Sequence, residues 1–426
     1  MTATLKERAK VLARPGVRSY GVIVFFSAAT SAMSFLTSVV VARDLGPAVF
    51  GRFAVFYSIF QMTWTATNFG DQSYVRFAST LPEDEQRAYL RATVVVELSA
   101  VLLLAALAYP LAGLLAGSVF HDPHYHRAVA MGLAVGACMN LLTLVGATYQ
   151  ARQRYLRYAL VATVFYGTML ASVGAVALFS HLTLGRLFTI YGVVAAAMFF
   201  LSLGRLAYLA RPLRIEWSVL RPLLSFGRFL IGANVAYVLY QRMDVIFVAR
   251  YAPPAGVGQY GVALRVAVLA SLFTGSLAPF LLPQAARTKG SSERLRAYLR
   301  RAAALSGGLL VIIAVLWLNV PLVTRVLFGS AYSASAVLCR ILLLATASIA
   351  IYTPLSQLFL VEDRPRAMLH LGLVKLGATI ALLLLLSRAY GAAGSAWAVA
   401  GSEVVTAAFV VTRVRGTLAA AFGGDS

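Results

Sequence analysis

The chain has 426 residues, of which 60% are hydrophobic and only 12% charged, and a formal net charge of +22. Soluble domains carry roughly 25% charged residues, and no Ser-, Gln- or Gly-rich tract replaces the missing ones, which excludes both an ordinary soluble domain and a disordered chain. Long apolar stretches take their place, each near the roughly 20 residues that a helix needs to cross a hydrocarbon core.

In chain order the predicted spans are 18–42, 51–79, 92–117, 128–150, 157–180, 187–209, 226–250, 257–282, 302–327, 334–360, 367–387 and 391–412. Many end at turn-forming residues: Gly46-Pro47, Pro82, Asp122-Pro123, Pro253-Pro254 and Pro365. No predicted loop exceeds about fifteen residues, so no soluble domain fits between spans. The first stretch is too long for a signal-peptide core and lacks a convincing cleavage site, so it is read as span one. The predicted fold is all-α and integral to the membrane, with about 12 spans in two six-helix bundles, 1–210 and 211–426.

The positions of the basic residues decide what the charge means. With the N-terminus in the cytoplasm, the inner segments hold five before Tyr20, then Arg87, Arg91, Arg152, Arg154, Arg157, Arg205, Arg211, Arg214 and Arg221. Six more run from Arg287 to Arg301, followed by Arg364, Arg366, Arg413 and Arg415. The outer side holds only Arg43, Arg52, Arg127, Arg186, Arg250, Arg325 and Arg388. This is the positive-inside rule, and it places both termini in the cytoplasm. The charge therefore reports topology and anionic headgroups, not nucleic acid.

Cys138 and Cys339 both fall in spans and indicate no disulfide framework. The run His121-Asp122-Pro123-His124-Tyr125-His126 has metal-ligand residue types, but no second cluster completes it, and solvated loop histidines are the expectation. No metal or cofactor is expected. There is no G-x-x-x-x-G-K-[ST] phosphate loop and no loop large enough for a nucleophile and its base, so no enzyme is expected.

An internal repeat joins the halves. Val41 to Val55 reads VARDLGPAVFGRFAV, and Val248 to Val262 reads VARYAPPAGVGQYGV, identical at seven of fifteen positions with an offset of 207. Six spans separate the segments, so the two halves point the same way, as in transporters built from parallel repeats. The alternative is chance similarity in an Ala-, Val- and Gly-rich chain. In span seven, Asn234, Tyr237, Gln241 and Asp244 follow helical spacing. Subtracting 207 gives Ser27, Thr30, Ser34 and Thr37 in span one, all polar. Each stripe alone suits ordinary helix–helix contact, and the alignment of the two favours cavity lining.

Ionisable residues inside a membrane are costly and usually functional. They are Asp71 and Arg76 in span two, Glu97 in span three, Arg228, Arg242 and Asp244 in span seven, Arg265 in span eight, Arg340 in span ten, Lys375 in span eleven and Glu403 in span twelve. Arg76 and Arg228 lie near cytoplasmic ends, where snorkelling accounts for them. Span two adds the neutral stripe Gln61, Thr65, Asn68 and Gln72. Buried cations suit an anionic substrate, and Arg suits phosphate by its bidentate geometry. Internal pairing, for example of Arg242 or Arg265 with Asp244, is the competing reading.

The segment RDLGPAVFGRF from Arg43, followed by NFGDQSYVRF ending at Phe77, resembles the polysaccharide-export branch of the multidrug/oligosaccharidyl-lipid/polysaccharide exporter superfamily. GQYGVALR from Gly258, RVLFGSAYSASAVLCRIL from Arg325 and QLFLVEDRPR from Gln357 are similar to later segments of that family. The second repeat departs from the family's turn, with Tyr251 and Pro253 where the L-G-P form is usual. The resemblance implies two bundles around a central V-shaped cavity faced by spans one and seven. It implies alternating access and the translocation of an undecaprenyl-pyrophosphate-linked oligosaccharide across the inner membrane. Its implied partners are that glycan and membrane lipid, with a polysaccharide polymerase or other assembly proteins as the candidates beside them; the sequence leaves open whether the chain works alone. Arg76, Arg242, Arg265, Arg340 and Lys375 would then meet pyrophosphate or acidic sugars, and Asp71, Glu97, Asp244 and Glu403 become candidate coupling carboxylates.

A multidrug or small-molecule antiporter of the same superfamily is the runner-up, and it predicts an acidic rather than an Arg-rich cavity. A peptidoglycan-precursor flippase would have more spans, and a glycan polymerase or ligase would need a large outer loop.

Overall fold

The structure is a computed structural model, and it describes residues 15–79, 81–210, 216–275, 277–288, 291–361 and 365–422. The basic residues counted above at 1–14, 211–215, 289–290 and 362–364 lie outside the described residues. The first half is built from α1 (Pro15–Thr67), α2 (Gly70–Ala78), α3 (Glu83–Leu115), α4 (His126–Ala151), α5 (Tyr155–Phe179) and α6 (Leu184–Leu209). The remainder is α7 (Trp217–Tyr251), α8 (Pro254–Gly275), α9 (Leu277–Ala286), α10 (Ser292–Phe328), α11 (Ser335–Val361), α12 (Pro365–Leu382) and α13 (Arg388–Phe422).

Among the described residues, ten runs are long and apolar enough to cross a membrane. Two have double length, 58 residues over Gly21–Ala78 and 46 over His370–Arg415. A glycine with positive φ interrupts each, Gly46 at 72° and Gly391 at 55°. Only glycine adopts that conformation at little cost, and Pro47 then opens the next helix, where its missing N–H is not needed. Since one crossing takes about 20 residues, each double run supplies two, and the total is about the dozen that the sequence predicts. The chain is an all-α integral membrane protein.

The chain forms two compact units, one of Met1–Leu45 with Val55–Val238 and one of Gly46–Ala54 with Leu239–Ser426. In the first unit α4 is the central helix, packed by α2, α3, α5 and α6. In the second, α11 is central, packed by α8, α9, α10 and α13. In the most apolar stretch of each of these two helices, 61% of the residues are buried, against 11–38% in every other run. They are spans four and ten, so the repeat gives each half an equivalent core.

Small residues make this burial possible. Gly132 and Gly136 lie one turn apart on α4, and a Cβ on them would come within 2.9 Å of the Phe56 carbonyl oxygen and 2.7 Å of that of Phe60. This is the small-residue spacing that lets helix backbones approach in lipid, where no hydrophobic effect draws helices together.

The repeat itself forms a contact within the second unit. A Cβ on Gly51 would collide with the Pro254 carbonyl oxygen, and one on Gly258 with that of Pro47. Gly51 and Gly258, like Pro47 and Pro254, stand 207 residues apart. The contact is reciprocal under the offset found in the sequence.

Candidate functional site

Span two, expected as one helix over 51–79, is interrupted. α1 ends at Thr67, Asn68 and Phe69 are non-helical, and α2 starts at Gly70. The break frees backbone groups in the membrane interior; side chains of α3 and α7 take up two of them, and a side chain of α4 holds the Thr67 hydroxyl beside them. Gly70 N–H donates to Glu97 Oε1 of α3 at 2.8 Å. Asn234 Nδ2 of α7 donates to the Asn68 carbonyl oxygen at 2.9 Å. Asn140 Nδ2 of α4 donates to Thr67 Oγ1 at 2.7 Å. Asn68 Nδ2 donates in turn to Asp71 Oδ2 at 3.3 Å. A Cβ at Gly70 would strike the Glu97 carboxylate and displace it from this position.

Glu97 is 1% exposed. Its Oε2 and the Asn140 Oδ1 are both buried acceptors with no hydrogen-bond partner among the described residues. Beside the break lies a cavity of about 310 Å³, lined by Ser27 and Thr30 of α1, by Asn68 and Asp71, by Thr143 of α4 and by Tyr158 of α5, among apolar side chains. The site therefore joins a carboxylate pair, an interrupted helix and a small polar cavity within one unit. Discontinuous helices with such groups are where secondary transporters hold ions and substrates.

The span-one stripe divides. Ser27 and Thr30 face the cavity, and Thr30 also donates to the Ser27 carbonyl oxygen. Ser34 pairs with the Tyr57 hydroxyl at 3.1 Å, and Gln61 donates to that same hydroxyl at 2.8 Å. Thr37 is buried and donates back to the Met33 carbonyl oxygen. Arg76 stacks over the Phe226 ring at 4.0 Å.

In the second unit the structure brings together two residues that the sequence left separate. Lys375 Nζ lies 2.8 Å from Glu403 Oε1, with side chains only 12% and 5% exposed. The Tyr352 hydroxyl donates to Glu403 Oε2 at 2.9 Å and accepts from Lys375 at 3.2 Å. Lys375 also sits over the Tyr240 ring at 4.3 Å. Gln241 donates to the Tyr240 hydroxyl. Arg340 donates from Nε to the Trp317 carbonyl oxygen at 3.2 Å and stacks on the Trp317 ring.

Asp244, 4% exposed, accepts from the Tyr260 hydroxyl at 2.6 Å and from the Val245 N–H, and the Arg242 charge acts on it. Tyr260 and Asp244 correspond in the repeat to Phe53 and Thr37, so the two halves diverged in both members of the pair. Arg242 and Arg265 are partly buried, and Tyr237 is exposed. The sequence pattern singles out none of Tyr57, Tyr240 and Tyr352, and marks Tyr260 only as a position of the repeat. It also misses Asn140 and Thr143, whose spacing in an apolar span is the signal that would have found them.

Among the described residues, no group of three or more His, Cys, Asp and Glu is placed to hold a metal ion. Asp122 accepts from the His124 N–H at 2.9 Å and so caps the short turn that leads into α4.

The fold matches solved transporters at low sequence identity. "Lipid II flippase MurJ, inward closed conformation" aligns with a TM-score of 0.75 at 13% identity, covering 92% of this chain and 87% of that one. An inward-facing multidrug resistance MATE family transporter of the MOP superfamily aligns at 0.70 and 14%, covering 93% and 96%. An outward-facing structure of the same description aligns at 0.59 and 13%, covering 95% of each. No curated protein matches the chain by sequence. The family described as "Polysaccharide biosynthesis protein" matches residues 40–337, which is most of the chain. The chain is thus a membrane protein of the polysaccharide biosynthesis protein family, built on the fold of flippases and transporters.

Proposed function

We propose that the protein is a flippase that carries an undecaprenyl-pyrophosphate-linked oligosaccharide from the inner to the outer leaflet of the bacterial inner membrane, by alternating access, with both termini in the cytoplasm. One observation carries this reading: the polysaccharide family match over residues 40–337 lies on a fold shared with a lipid II flippase. Arg242 and Arg265 are assigned to the anionic head of the substrate, since guanidinium groups bind phosphate in bidentate fashion. Glu97 and Asp71 at the interrupted span are assigned to ion coupling. Glu97 Oε2, without a partner among the described residues, is a buried acceptor that a proton or a small cation would satisfy.

The test is deletion of the gene, followed by lipid extraction and complementation. Lipid-linked glycan held in the inner leaflet and loss of surface polymer are expected. Wild-type protein should restore export. Glu97→Gln should reach normal protein levels yet restore roughly a tenth of the export or less, a barrier raised by about 1.4 kcal/mol or more. Normal polymer with new drug sensitivity would move the protein to the antiporter reading, which the MATE likeness would then explain.

A further inference from the structure

A second cavity, of about 320 Å³, opens on the flank of the first unit between α4, α5 and α6. Its apolar wall includes Leu160, Val164 and Leu201, which are 38%, 52% and 68% exposed and so face the hydrocarbon. Its head is made by Tyr149 in the last turn of α4, Arg157 in the first turn of α5 and Arg205 in the last turn of α6. Both arginines are exposed, and neither forms an ion pair or hydrogen bond among the described residues. From Arg157 to Val164 the groove follows α5 for about 10 Å, at about 1.5 Å per residue.

We infer that this groove binds one anionic glycerophospholipid of the cytoplasmic leaflet. Its phosphate would sit between Arg157 and Arg205, and an acyl chain would lie along Leu160, Val164 and Leu201. Two facts select this occupant. The charges are both positive and sit together at one end, while the rest of the groove is apolar and open to lipid. That end is also where the basic α4–α5 turn lies, the cytoplasmic side by the positive-inside rule, and basic pockets between spans on that side hold anionic headgroups. The inference rests on that orientation and not on the flippase reading, so loss of one leaves the other standing.

The experiment uses the full chain in detergent, with native mass spectrometry and thermal melting under added lipid. Phosphatidylglycerol should stay bound and raise the melting temperature, while phosphatidylcholine and inorganic phosphate should do neither. The double variant Arg157→Gln with Arg205→Gln should melt normally without lipid and bind phosphatidylglycerol about thirtyfold more weakly. Arg300→Gln with Arg301→Gln removes the same charge outside the groove and should bind as wild type. Equal binding of phosphatidylcholine, unchanged binding in the groove variant, equal loss in the control variant, or a preference for undecaprenyl phosphate over phosphatidylglycerol would each overturn the assignment.

Discussion

Lys375 shows how a buried charge changes meaning once its neighbours are known. Alone in span eleven, it reads as a cation waiting for an anionic substrate. In the structure it faces Glu403 at 2.8 Å, and Tyr352 bridges both. A buried pair of this kind adds little net stability, because desolvation offsets attraction, yet removing one partner strands the other. Lys375→Met and Glu403→Gln should each destabilise the protein by about 3–5 kcal/mol, while the double variant should recover most of that loss. Thermal melting of the four proteins in one detergent checks it, and simple additivity would count against the pair. Glu97 is the contrasting case. One of its oxygens holds the Gly70 N–H, and the other has no donor among the described residues. A group half committed to structure and half open is suited to coupling, whereas the fully satisfied Glu403 is suited to holding α11, α12 and α13 together.

At the scale of elements, glycine decides which helices approach each other. Gly51 and Gly258 each face a carbonyl oxygen of the other repeat segment. Those neighbours are backbone, which cannot swing aside as a side chain would. Gly51→Ala or Gly258→Ala should therefore cost about 1–3 kcal/mol or more, the usual range for overpacking. Gly307→Ala, where nothing lies within 4 Å of the added methyl, should be neutral or slightly stabilising. Melting temperature and yield of the three variants test this directly, and equal behaviour of all three would mean that the crossing is looser than the structure shows. The break in span two belongs to this scale as well. It puts two non-helical residues in a run that is otherwise apolar enough to cross the membrane, and side chains of α3 and α7 supply hydrogen bonds to the backbone groups it frees.

At the scale of the whole molecule, charge asymmetry governs orientation. In a chain with Cys138 and Cys339 replaced by Ser, a Cys introduced for His124 should react with a membrane-impermeant maleimide from outside. A Cys introduced for Glu85 should react only after permeabilisation. Both positions are exposed and lie at opposite ends of α3, so the pair reports one crossing. Reaction of both from outside, or inverted reactivity, would reverse the orientation read from the basic loops.

The helical membrane class, the approximate number of spans, the repeat and the identities of the buried polar residues are all legible in the order of amino acids. Each follows from local chemistry: apolar length, the side on which Arg accumulates, and helical spacing. The tertiary structure alone decided partnership. It paired Lys375 with Glu403 and Asp244 with Tyr260, set Arg340 on Trp317 and joined Ser34 to Gln61 through Tyr57. It also broke span two beside Glu97. No sequence pattern reports these, because the groups meet across helices, and what a buried charge does depends on the donor or acceptor that packing brings within about 3 Å of it.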